Sequence, residues 1–245
     1  MDRFIESLRT SATRFGDAVR RGPLDAPIEA CPGWTLADLA RHMGEIHRWA
    51  RLAAMTGAPP DGSAIDAPPA AGDESGDALA DWLDAGVDAL VPVLAALDPA
   101  APTWHPFPTP RVAAVWPRRQ AHETQVHAWD AERAVGETSP LDPDIAFDGI
   151  AEYFEVIAPR VIQREGKAAP IGTLAIDCVD VRDRLVIRSP DAATVVLQRD
   201  PDRELEVDAH VTGTAEDLLL ALWNRAELPT TEAQLARDWL AFGGN

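Results

Sequence analysis

The spacing of apolar residues changes near Pro140, and that change limits the architectures open to the chain. Upstream, apolar side chains recur every three or four residues, the spacing of one helix face; downstream they come in short runs broken by Asp, Arg and Pro. Four helices are predicted before the change. The first covers Asp2 to Arg21, with Phe4, Ile5, Leu8, Ala12, Phe15 and Val19 on one face. The second starts at Thr35, an N-cap with Asp38 three residues on, and its inward stripe is Leu36, Leu39, Met43, Ile46 and Ala50. The third runs from Asp77 to Leu97 with Pro92 inside it, and the fourth ends near Val135 with Gly136 as its cap.

Two connections are long. Gly57 to Gly76 is rich in Pro, Gly, Ala and Asp, and a loop of about 20 residues tends to be functional or mobile. Pro102 to Pro110 holds four prolines and reads as irregular. Beyond Pro140 one more helix is expected over Ile145–Gln163. The runs TLAIDCV, RLVIRS, ATVVLQ and ELEVDAHV then read as an antiparallel sheet, followed by helices at Ala215–Arg225 and Thr231–Phe242. The expected fold class is two-domain, α plus α/β. An up-and-down four-helix bundle occupies residues 1–140, and a small α+β domain with an antiparallel sheet occupies residues 141–245.

Charge and cysteine content narrow the partners. With 22 Lys and Arg against 40 Asp and Glu, the net charge is −18, which disfavours nucleic acid, whose binding rests on basic residues. The apolar stretch Ala89–Leu97 is too short to span a membrane, and the charged start lacks the apolar core of a signal peptide. Two cysteines, Cys31 and Cys178, make no disulfide framework; each reads as a core or surface thiol, or as a redox or metal-binding one. A cytoplasmic protein is expected, with no nucleic-acid or membrane partner.

Histidine is scarce, with six residues, so its placement is informative. Glu123 and His127 are four apart and share a helix face with Trp116, Gln120, Ala131 and Ala134. They are either a surface pair or an inward one, and an inward carboxylate needs a partner such as a divalent cation. His42 lies in the apolar stripe of the second helix, as a hydrogen-bonded core residue or a further ligand. His122 and His127 are five apart, about 140° around a helix, so HETQVH is not a zincin motif; His122 reads as a flanking surface or interface residue and His47 as off the His42 face. His105, in the Pro-rich loop, has no predictable path to this cluster. Two histidines and a carboxylate leave an open position on zinc, or suit non-haem iron. Asp130, one turn past His127, either holds its second ring nitrogen or pairs with Arg133 or Arg119.

The segments CPGWTLADLARHMGEIHRWA and WPRRQAHETQVHAWDAERAVG resemble the mycothiol-dependent maleylpyruvate isomerase-like proteins of actinobacteria, and VTGTAEDLLLALWNR resembles the end of their C-terminal domain. The resemblance spans nearly the whole chain. It implies a DinB-like metal-binding bundle and a C-terminal domain similar to sterol carrier proteins. It further implies zinc held by His42, Glu123 and His127, mycothiol as co-substrate, and Arg225 as a residue needed for activity. By the residues alone, Arg225 is a helix-end cation. The implied chemistry is addition of a thiolate to a small electrophile, by a maleylpyruvate cis-trans isomerase or an S-transferase. The competing expectation is a non-catalytic protein of the same fold that binds a metal or small ligand. Arg118, Arg119 and Arg225 are the expected local cations for anionic ligands, and Trp34, Trp49, Trp116 and Trp129 flank the ligand positions.

Overall fold

The computed structural model describes residues 1–62, 65–69, 75–227, 231 and 233–242. The chain divides into two compact units, Met1–Pro106 with Pro110–Ser139, and Phe107–Thr109 with Pro140–Asn245.

The first unit holds helices α1 (Asp2–Arg21), α2 (Leu36–Thr56), α3 (Gly76–Ala96) and α4 (Val115–Ala134). The start of α2 follows from its sequence. Thr35 Oγ1 accepts from the Asp38 N–H, and the Asp38 carboxylate accepts from the Thr35 N–H, so two of the orphan donors at the helix start are satisfied. Phe15, Leu36, Leu39, Met43, Leu79 and Leu83 are fully buried in one core cluster, and Leu8, Ala50, Leu90 and Trp116 in a second.

The bundle is not the up-and-down arrangement expected. Phe4 meets His122, Ser7 bonds Gln125 and Arg14 pairs with Glu132, so residue numbers on α1 and α4 rise together and these helices are parallel. A Cβ on Gly44 would strike Trp82, and one on Gly86 would meet Arg48, which makes α2 and α3 parallel as well. Arg20 pairs with Asp84 while Gly76 abuts Val19, so α1 and α3 are antiparallel. The order is therefore up-down-down-up. A 21-residue helix is about 31 Å long, so a parallel α2 and α3 require a connection that returns the full length of α2. That geometric duty falls on the segment 57–75, part of which (63–64 and 70–74) lies outside the described residues.

The second unit opens with α5 (Pro143–Glu152), a π-helical turn (Tyr153–Ile157) and α6 (Ala158–Glu165). The helix expected over Ile145–Gln163 is thus interrupted by a widened turn, which ends just before Pro159, a residue that cannot donate to the turn behind it. Strands β1 (Gly172–Cys178), β2 (Arg184–Ser189), β3 (Val196–Arg199) and β4 (Ala209–Gly213) form one sheet in the order β3-β2-β1-β4. The pairs β1–β2 and β2–β3 are antiparallel, but β4 runs parallel to β1, with Leu174 opposite Ala209 and Ile176 opposite Val211. The sheet is mixed rather than antiparallel, because the chain crosses from the outer edge of β3 to the far edge of β1 before forming β4. The first half of ELEVDAHV belongs to that crossing and not to a strand.

Helices α7 (Ala215–Leu222) and α8 (Gln234–Leu240) complete this unit. Both are shorter than expected: α7 stops before Asn224, whose φ is 58°, so Arg225 lies beyond it. Of the expected Thr231–Phe242 helix, residue 232 lies outside the described residues. Leu174, Ile176, Leu185, Ile187, Leu218 and Trp239 are all buried, the apolar layer that this unit closes over. Among the described residues, no helix is long and apolar enough to cross a membrane.

Candidate metal centre

Between Arg119 and Glu132 every residue of α4 is buried except Glu123 and His127. These two, four apart on one face, mark the side of the helix that stays open. The antiparallel packing of α2 brings His42 to the same level. One ligand atom from each of His42, Glu123 and His127 lies within 4.8 Å of the other two, and His127 Nε2 is 3.7 Å from Glu123 Oε1. The His42 and His127 rings meet edge-on, 5.8 Å between centroids.

Each of the three is held from behind. His127 Nδ1–H donates to Asp130 Oδ2 at 2.9 Å, which turns Nε2 toward Glu123 and His42. Arg119 Nη2 donates to Glu123 Oε2 at 2.5 Å, leaving Oε1 for the cluster. Trp34 packs edge-on against His42 at 5.0 Å. Asp130 therefore acts on His127 and not on Arg133, which instead donates to Glu29.

Charge follows from these contacts. Burial lowers the pKa of His42, with the neighbouring His127 adding to the effect, so its imidazole is neutral and able to ligate. Burial would lower His127 too, but its hydrogen bond to Asp130 and the neighbouring Glu123 carboxylate raise it above the ordinary imidazole value. Burial would raise Glu123, yet the Arg119 charge and the neighbouring His127 hold its carboxyl well below the usual range.

Two imidazoles and a carboxylate are a zinc-type donor set. Donors about 2.1 Å from a tetrahedral ion stand about 3.4 Å apart, close to the 3.7 Å between His127 and Glu123. The residues present fit a divalent metal. A second trio, Cys31, His127 and Asp130, also has ligand atoms within 4.8 Å of one another, so His127 sits at the overlap of two sets.

Other expectations need correction. His122 is buried against Phe4 of α1 and is not a surface residue, since α4 is covered there by its parallel neighbour. His47, read as off the His42 face, is wholly buried on α2. Its Nε2 shares a 2.9 Å hydrogen bond with Thr124 Oγ1, and burial followed by the Arg48 charge depresses it to about 3. His105 bonds the Pro110 carbonyl through Nε2 and is buried in its own loop. Arg119 is the buried partner of Glu123 and not an open cation for a ligand. Of the tryptophans, Trp34 touches the cluster, Trp49 meets Trp104 and Trp116 edge-on, and Trp129 lies under Arg133. Arg225 lies in the second unit, where its Nη1 donates to the Trp223 carbonyl at 2.6 Å.

The pairing of Arg119 with Glu123 was within reach of the sequence, being four residues apart on a helix. The approach of Cys31 to His127 was not, because Cys31 sits in the turn ahead of α2 with no periodic relation to α4.

The family model of the mycothiol maleylpyruvate isomerase N-terminal domain matches residues 5–132, and that of the MDMPI C-terminal domain matches residues 144–242. The chain belongs to the mycothiol maleylpyruvate isomerase family. No curated protein and no solved structure matches it. Membership makes a small thiol the class of co-substrate associated with this architecture, and the candidate cluster lies wholly within the segment matched to the N-terminal domain.

Proposed function

We propose that the chain is a zinc-dependent enzyme that uses mycothiol for addition to a small electrophile, as a maleylpyruvate cis-trans isomerase or an S-transferase. The observation that carries this reading is the convergence of His42, Glu123 and His127 within 4.8 Å on the open side of α4. A zinc held there would lower the pKa of a thiol co-substrate, so that it is present as thiolate at neutral pH. The chain's own residues prepare the site. Asp130 fixes the His127 tautomer, Arg119 keeps one Glu123 oxygen occupied, burial keeps His42 neutral, and Trp34 shields the His42 ring. The family resemblance makes Arg225, in the second unit, a residue needed for activity, its guanidinium fork being suited to a substrate or thiol carboxylate.

Elemental analysis of the purified protein and of His127→Ala tests the metal. About one zinc per chain, lost in the variant, is expected. A metal-free wild type that takes up no added zinc would overturn the reading and favour a small-ligand binding protein. Turnover of maleylpyruvate with mycothiol should then be abolished in Arg225→Ala while its zinc content stays unchanged; parallel loss of zinc would remove Arg225 from the substrate.

A further inference from the structure

An open pocket of about 690 Å³ is lined by the sheet and by the segment that crosses from β3 to β4. Its charge is unusual for so acidic a chain. Arg184, Arg188 and Arg203 line it with His210, beside Glu206 and Asp208. The sheet register explains the gathering. Arg184 stands opposite Asp177, and Arg188 opposite Thr173, so both arginines project from the same face of β2; His210 stands opposite Ala175 on that face.

Arg184 is the key residue. It is only 3% exposed, yet neither its Nε nor its Nη2 makes a hydrogen bond among the described residues. Its acidic neighbours are distant or shared. Nε is 3.9 Å from Asp177 Oδ1, which also faces Arg203 Nη2 at 3.2 Å, while Asp177 Oδ2 accepts from His210 Nδ1 at 3.3 Å. Arg184 Nη1 is 3.3 Å from Asp200 Oδ2, but the Asp200 carboxylate also accepts the N–H groups of Glu204 and Leu205. Asp208 is likewise committed, to the Thr173 N–H. Arg188 is exposed and forms no ion pair among the described residues. A buried guanidinium with open donors is costly unless something completes its shell.

We propose that this pocket is a binding site for a small oxyanion, held by Arg184 and Arg188 with Arg203 at the rim. Guanidinium forks match the paired oxygens of a carboxylate or phosphate. The Cα atoms of Arg184 and Arg188 stand about 13 Å apart along the strand, so two long side chains can converge on one ligand of metabolite size. The site lies entirely in the second unit, uses none of the candidate metal ligands and does not include Arg225. It stands or falls separately from the reaction proposed above.

Calorimetric titration of the full chain with inorganic phosphate and, separately, with succinate tests the site, both at constant ionic strength set with chloride. Saturable binding of at least one anion is expected, weakened tenfold or more in Arg188→Ala and less in Arg188→Lys. Phosphate alone would identify a phosphoryl ligand and succinate alone a carboxylate. Because Arg188 is exposed, its removal should leave the fold intact. An independent readout is the Arg184 Nε–H resonance, which should shift on anion addition in the wild type and not in Arg188→Ala. No binding of either anion, or equal binding in wild type and Arg188→Ala, would overturn the proposal and leave the cluster as an internal ion-pair network.

Discussion

Asp130 shows how a residue outside the His42, Glu123 and His127 trio can decide whether that trio works. Its carboxylate is buried and accepts a hydrogen bond from His127 Nδ1–H, so the ring presents Nε2. Partners of this kind are worth about 10- to 100-fold in metal affinity. Asp130→Asn should weaken zinc binding by that order in a chelator competition, while His42 and Glu123 remain in place; an unchanged affinity would separate Asp130 from the site. His47 makes a different prediction. Its pKa is depressed to about 3 by burial, so between pH 6.5 and 3 the unfolded chain binds the proton that the folded chain refuses. Stability is therefore lost as pH falls through that window. His47→Gln, which can still bond Thr124, should flatten the acid limb of a urea-denaturation series. A parallel limb in the variant would mean that His47 is protonated in the folded state.

At the scale of elements, the crossover between α2 and α3 carries the bundle topology. Nineteen residues, 57–75, connect two parallel helices whose α2 member is about 31 Å long. An extended chain covers about 3.3 Å per residue, so roughly ten residues are the least that can make the return. Deleting four residues from this connection should leave the unfolding midpoint nearly unchanged. Deleting eleven should abolish the monomeric fold, read by circular dichroism and size-exclusion chromatography. If the shorter form stayed monomeric and equally stable, α2 and α3 would have to be antiparallel. The span thus sets a lower bound on the length of the connection. The parallel pairing also sets the site: α2 runs antiparallel to α4, which places His42 beside His127 and His47 beside Thr124.

For the whole molecule, acidity and function coexist through local pairing. A net charge of −18 would repel anionic ligands at long range, yet positive charge is concentrated where carboxylates are buried or shared, at Arg119 with Glu123 and at Arg184 and Arg203 with Asp177. The two units carry different chemistry. The first gathers imidazoles and carboxylates between helices, and the second gathers guanidinium groups on a sheet face.

The sequence alone determined what is set by local spacing. Helix faces, the Thr35–Asp38 cap and the Glu123–His127 pair depend on residues within one or two turns, and these interactions need no knowledge of neighbours. Local spacing left His42 as a core residue or a ligand, and the family segments pointed to the ligand. Tertiary structure decided everything that depends on which elements meet. Amphipathic stripes do not encode helix direction, so up-down-down-up could not be told from up-and-down. Short alternating strands do not encode their neighbours, so β4 paired parallel with β1. The burial of His122, the approach of Cys31 to His127 and the open donors of Arg184 follow the same rule. Each arises from contacts between segments far apart in the chain, which periodicity along the chain cannot record.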